Sequence, residues 1–156
     1  MAASKFFTYN TAVKHILNEN IKLATGALRA VLLKDTYTPS TASDSALAQL
    51  SAHQATASAT IVNEIALSSV TITGSGADTV KMTAANISGF SSDGSTIVSA
   101  KYVAVYDKSS SGAGIDNLLL GYIDLDASGA SASAGNTTQV NVTWPSGGLF
   151  KWRSNQ

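Results

Sequence analysis

The residues of this sequence that come nearest to chemistry are two imidazoles, His15 and His53, a close pair of carboxylates, Asp124 and Asp126, and the stretch SSSGAG at 109–114. Zinc centres and His-based nucleophilic triads would have to use the imidazoles. His15 lies between Lys14 and Ile16 in a helical pattern, with Glu19 as its sole partner at i+4, and reads as a helical surface residue. His53 has no carboxylate nearer on its N-terminal side than Asp44 and also reads as surface. Asp124 and Asp126 stand at i and i+2 on a strand end and point the same way. Without Asp or Asn neighbours at calcium-loop spacing, they read as a solvated strand end rather than a cation site. Paired acids could also serve glycoside hydrolysis, but the remaining acids are dispersed. No catalytic residue, metal ligand or cofactor is assigned.

SSSGAG poses a sharper choice between a phosphate cradle and a hairpin. A phosphate loop needs glycines running into a helix N-terminus, with a Lys and a Ser or Thr for the terminal phosphate and its metal. Here Ile115, Asp116 and Asn117 follow, then a strand; Asp116 would repel an anion, and no Gly-Lys-Ser/Thr occurs in the chain. The stretch therefore reads as a hairpin tip. Residues 107–117 exceed the usual two to five residues of a hairpin loop. They are expected to form a long exposed contact loop, with Ser110, Gly112 and Gly114 as interface candidates that lap over a neighbouring subunit.

Aromatic residues can stack sugars or bases. Tyr102, Tyr106, Tyr122, Trp144 and Trp152 sit in or near apolar runs, where core packing with the polar tip at the rim is the better reading. Phe6 and Phe7 differ, because adjacent aromatics near a terminus do not both face one small core easily. One of them is expected to anchor a neighbouring subunit, and Phe150, Trp152 and Arg153 in the C-terminal LFKWRSNQ raise the same expectation.

The elements that must carry these residues follow from periodicity. Tyr9, Ala12, Val13, Ile16 and Leu17 recur at helical spacing, which predicts an amphipathic helix over about 5–19, capped by Ser4 or Thr8 and stopped by Asn18 and Asn20. ALRAVLLK is the first strand, ending at DTYTPS, where Pro39 removes a backbone donor. In 41–60 the pattern is weak, and Ser43 or Asp44 can cap a short helix that puts Leu47 and Leu50 on one side. From there the signal is β: TIVNEIAL, SSVTIT, VKMTAANI, TIVSAKYVAVYD, NLLLGYIDL and TTQVNVTW, separated by Ser/Gly/Asp turns. Runs 102–106 and 118–125 are apolar enough for central strands covered on both faces. Val140, Val142 and Trp144 share one face of a half-buried strand, with Asn141 and Thr143 on the other. Several short strands between turn signals imply an all-β sandwich or barrel. One domain over 1–156 is expected, with its β-rich core over about 27–35 and 59–152.

Composition narrows the partners. Ten acidic and ten basic residues give no net charge, charged residues are only 13% of the chain, and the ten cations are scattered. Nucleic acid, which is held by clustered Lys and Arg, is not an expected partner. A near-neutral surface rich in small polar residues resists association poorly. The absence of cysteine excludes a disulfide framework. MAASKFFTYNTAVKHILNEN has no signal-like apolar run, and no long apolar stretch follows, so neither a secretion signal nor a membrane partner is expected. The sequons at Asn86, Asn136 and Asn141 then read as ordinary sheet and turn residues.

The order of these pieces resembles the small virion structural proteins of tailed bacteriophages, the capsid decoration or cement proteins. The likeness runs through the N-terminal helix, ALRAVLLKDTYTPS, DTVKMTAANISGF, SAKYVAVYD, LLLGYIDL and VNVTWPSGGLF, and is densest from Ala66 to Leu149. Segment 51–64 departs from the Gly-Tyr-Gly-rich stretch of that pattern. The resemblance implies an antiparallel two-sheet β-sandwich, with a jelly roll among its forms, behind one N-terminal amphipathic helix. It further implies a non-enzymatic homo-oligomer, dimer or trimer, that sits on the capsid exterior of the virion and clamps the major capsid protein. Two rival readings are a tail or head-fibre component that binds a receptor or glycan and, more remotely, a small carboxylate-based hydrolase.

Overall fold

The computed structural model describes residues 5–24, 27–55, 64–75, 79–91, 100–112, 115–125 and 139–153. In chain order the elements are β1 (Phe6–Thr8), α1 (Asn10–Leu17), β2 (Leu28–Lys34), a 3-10 helix (Leu47–His53), β3 (Glu64–Ala66), β4 (Thr71–Ser75), β5 (Thr79–Thr83), β6 (Ile87–Ser91), β7 (Ala100–Gly112), β8 (Ile115–Asp124), β9 (Gln139–Val142) and β10 (Phe150–Arg153). The chain is mostly β, arranged in several antiparallel sheets. Five strands run β1-β8-β7-β2-β3, three run β10-β5-β4, and β6 pairs with β9.

The two most apolar runs occupy the middle, as their composition predicts. In β7 every residue from Val103 to Asp107 is buried, and in β8 Leu118–Gly121 and Ile123 are buried. A strand buried on both faces loses the alternation of a half-exposed one. β2 lies against β7 with Ala30 opposite Val105 and Leu32 opposite Val103. One hydrophobic cluster joins these residues to Tyr9 and Ala12, to Leu47 and Leu50 of the 3-10 helix, and to Met82, Phe90, Val142 and Trp144 of the smaller sheets. The expected alternation at the end of the chain is present: Val140, Val142 and Trp144 are buried while Asn141 and Thr143 are exposed.

The N-terminus departs from the helix expected over 5–19. Residues Phe6–Thr8 form an edge strand, with Phe6 opposite Ile123 and Thr8 opposite Gly121, and α1 begins only at Asn10. Backbone pairing along β8 offers these three residues partners that an isolated helical turn would not. Thr8 does not cap α1, and Ser4 lies outside the described residues; Tyr9 occupies the N-cap position without a side-chain bond. The helix ends where Glu19 turns into the left-handed region at φ 58°, with the Asn20 and Ile21 amides both donating to the His15 carbonyl. The 3-10 helix does put Leu47 and Leu50 in the core, but its start is tied by Gln49, whose Oε1 accepts from the Ser45 and Ala46 amides. Asp44 instead accepts from the Ser40 amide and the Tyr37 hydroxyl, closing the DTYTPS turn.

The eleven-residue loop expected over 107–117 is another correction. Pairing continues to Gly112 opposite Ile115, so that only residues 113 and 114, outside the described set, separate the strands. Two register shifts absorb the odd residues, and Asn117 takes a left-handed φ of 55°. Asp107 is fully buried, and its carboxylate accepts from the Lys22 amide at 3.1 Å, the Ser109 amide at 3.0 Å and the Ser109 hydroxyl at 2.7 Å. Backbone ladders need no apolar side chains, so a Ser/Gly run carries no periodic sign of the strand it forms.

VKMTAANI also divides. β5 ends at Thr83, and β6 starts afresh at Ile87 in a different sheet. At the break, Trp144 donates its backbone N–H to Asn86 Oδ1 at 3.0 Å and its indole N–H to the Ala85 carbonyl at 2.8 Å.

Candidate interaction surfaces

The structure places two of the interface candidates, Phe6 and Phe150, at one cleft; Phe7 does not line it, and the side chains of Trp152 and Arg153 lie outside the described set. β1 and β10 each end a sheet, and a cleft of about 340 Å³ opens beside both. Lys5, Phe6 and Thr8 form one wall; the turn 145–148 with Phe150 and Lys151 forms the other. Phe6 and Phe7 are both half-buried in their own domain, one on each face of β1. Phe6 lies over Gly121, where any Cβ would collide with its ring and with the Phe7 carbonyl. Phe7 stacks on Tyr122 at 5.1 Å and 15°, with the Lys5 ammonium 5.1 Å from its ring centre. Adjacent aromatics thus avoid sharing one core by straddling a strand.

The opposite wall depends on the Pro145–Gly148 turn, closed by the Gly148 amide on the Pro145 carbonyl at 2.9 Å. Gly148 has φ +88°, and a Cβ there would meet the Met82 carbonyl at 2.5 Å, so glycine is required on both grounds. Lys81 passes beside it and donates Nζ to the Ser146 carbonyl at 2.9 Å. From the turn the chain enters β10, with Phe150 opposite Met82, Lys151 opposite Lys81, Trp152 opposite Val80 and Arg153 opposite Thr79. On the same face as buried Met82, Ile72 and Val80 remain exposed, at 42% and 46%.

The hairpin candidates lie elsewhere. Ser110 and Gly112 belong to β7, and Gly114 is outside the described residues. From the Gly112–Ile115 pair to the β1 pairing at Gly121 is six residues along β8, on the order of 20 Å. The base of this hairpin is held by Glu64, which accepts from the Tyr106 hydroxyl and the Lys108 ammonium and lies 3.9 Å from Arg29. Burial works against the Glu64 carboxylate, but the bonds from Lys108 and Tyr106, with the charges of Lys108 and Arg29, hold its pKa below the usual value. Sequence gave no sign of this group, because its members come from three strands.

An aromatic band crosses the five-stranded sheet. Tyr122 meets Tyr102 edge-on at 6.1 Å, Tyr102 meets Tyr37 edge-on at 5.8 Å, and Tyr37 lies 5.3 Å from the His53 ring. Tyr9 and Tyr37 share a hydroxyl bond of 3.0 Å. Burial above all raises the pKa of both phenols, and the Tyr37 hydroxyl donates to Asp44. Tyr106 and Trp144 are core residues with bonded polar tips, as expected. His15, expected at the surface, is buried at 8% exposure, 3.3 Å from Asn20 Nδ2. Burial, followed by the nearby Lys14 charge, lowers its pKa. His53 is half-buried rather than free at the surface. Among the described residues no three acidic or imidazole groups gather as a metal site; Asp126 lies outside them. No helix among them is long and apolar enough to cross a membrane.

Neither a family model, nor a curated protein, nor a solved structure matches this chain.

Proposed function

We propose that this chain is a non-enzymatic virion structural protein, a capsid decoration or cement protein of the tailed-bacteriophage kind, which binds the outside of the assembled major capsid lattice. The observation that carries the reading is the meeting of β1 and β10 at one cleft, each the edge of its sheet among the described strands. A contact surface built from backbone edges and half-buried aromatics suits static packing. The carboxylates best placed for chemistry are already engaged: Asp44 and Asp107 hold backbone amides, and Glu64 holds Tyr106 and Lys108. A clamp of this sort stabilises a lattice by binding it better than dispersed subunits, and repetition multiplies modest individual contacts.

The finer architecture in this reading is a two-sheet sandwich related to the jelly roll. It is supported by the single core that the five-stranded sheet shares with Met82, Phe90, Val142 and Trp144. The aromatic band is the feature that favours the rival fibre reading, in which a glycan stacks on exposed rings. Tyr37 is buried, the Tyr102, Tyr122 and His53 rings are half-buried, and the rings turn against one another, which leaves less face for a sugar.

Electron microscopy of intact particles carrying this protein tests the proposal. Stoichiometric density on the outer capsid lattice is expected, as a dimer or trimer over the capsid subunits. Absence from the particle, or confinement to a tail tip, would overturn it.

A further inference from the structure

The cleft has the backbone polarity of a strand acceptor. Tyr9 donates its amide to Leu120 of β8 at 3.2 Å. Successive residues of a strand turn their backbone groups to opposite edges, so those of Phe7 and Tyr9 face β8, and those of Phe6 and Thr8 face outward. Phe6 and Thr8 line the cleft and Phe7 does not. Among the described strands nothing pairs with the outer side of β1 or of β10. Such an edge is a template for another strand unless something deters it.

Charge decides which strand is admitted. Lys5 stands on one wall and Lys151 on the other, both exposed, and no residue lining the cleft is acidic among those described. Lys151 is directly opposite Lys81, an arrangement that costs stability in an isolated sheet. Lys81 spends its ammonium on the turn at Ser146, and the Lys5 ammonium lies over the Phe7 ring on the other face of β1, which leaves Lys151 to face the cleft. Edge lysines deter neutral and cationic strands. A second copy docked edge to edge through β10 would bring its own Lys151 against this one. An anionic strand meets no such barrier and relieves the repulsion.

We infer that the cleft receives an extended acidic segment of a partner protein, which adds as a strand along β1 and sets a carboxylate against Lys151. Backbone bonds to Phe6 and Thr8 supply the register, and the lysine supplies the selection, as in other cases of strand addition. This deepens the interface reading above and is tested apart from it, since the assay needs no particle and microscopy reads location whatever the assay gives.

The probe is a fluorescein-labelled pool of end-blocked peptides of about six residues, a common strand length, alternating Asp or Glu with Val or Thr. Titrated with the full chain and followed by anisotropy, it should bind saturably and more weakly as salt rises. Binding should fall about tenfold or more in Lys151→Gln. Thr8→Pro, which removes an outward amide while leaving the β8-facing bonds, should weaken it as well. A pool methylated on every backbone nitrogen, so that neither edge can donate, should not bind, and this arm needs no variant to fold. No saturable binding, equal binding of the methylated pool, or binding unchanged by the lysine substitution would each overturn the inference. Self-association of the unliganded chain that is abolished by Thr8→Pro would assign the edge to a second copy and overturn it too.

Discussion

His15 illustrates how a side chain's neighbours, rather than its place in the helical pattern, set its behaviour. The helical spacing places it beside Lys14 as though both faced water, yet it is buried. The fold lowers its pKa, so the unfolded chain takes up a proton first as pH falls. The stabilising contribution is therefore complete above the ordinary value of 6.5 and is lost as pH falls from there through the lower folded value. Urea midpoints taken across this range should decline with pH in the parent, and less steeply in His15→Gln. Equal slopes in the two proteins would show that His15 does not carry the effect. The aromatics are the converse case: their apolar surroundings in the sequence implied packed rings, and Tyr106 and Trp144 are packed in the core, with their polar tips bonded. The partners themselves, Glu64 and the Ala85 carbonyl, lie far away in the chain and carry no mark of their role.

Short elements were the hardest to read. β1 has three residues, too few for any period to declare itself, and it exists because β8 offers it a ladder and Gly121 offers it room. Adding a methyl at Gly121 would press on both the Phe6 ring and the Phe7 backbone. Gly121→Ala should thus cost about 1–3 kcal/mol in urea unfolding, and should speed hydrogen exchange at the Tyr9 amide, which bonds to Leu120. Parental stability with unchanged exchange would mean that β1 does not depend on this close approach. The hairpin failed to show itself for a related reason. Ser109 and Ser111 are weak strand formers, but Asp107 anchors the chain at the point where the apolar run stops, and the ladder continues past it. Where strands were long and apolar, as in β2, β7 and β8, sequence and structure agree closely.

Taken as one body, the protein combines a well-filled core with a surface of no net charge. Mutual repulsion between copies is weakest where net charge vanishes, and the sequence places that point near pH 6.7. Light scattering across a pH series at fixed concentration should show the greatest association near that value, with recovery on either side. A minimum there instead would mean that local charges such as Lys5 and Lys151, rather than the net balance, control association. Ile72 and Val80, exposed on the three-stranded sheet beside the buried Met82, add an apolar contribution that pH does not remove.

Local pattern in the chain was enough to specify a β-rich domain, its central strands, the buried face of residues 140–144 and the core role of Leu47 and Leu50, because each follows from near-neighbour spacing of apolar side chains. Contacts between distant segments had to be folded to be seen. The cleft joins Lys5 to Lys151 and sets Lys151 against Lys81, and its acceptor edge depends on which amides of β1 face β8. Spacing along a sequence reports how one element meets a core, whereas a site between two sheet edges depends on register and strand order, which are fixed by pairings among residues remote in the chain.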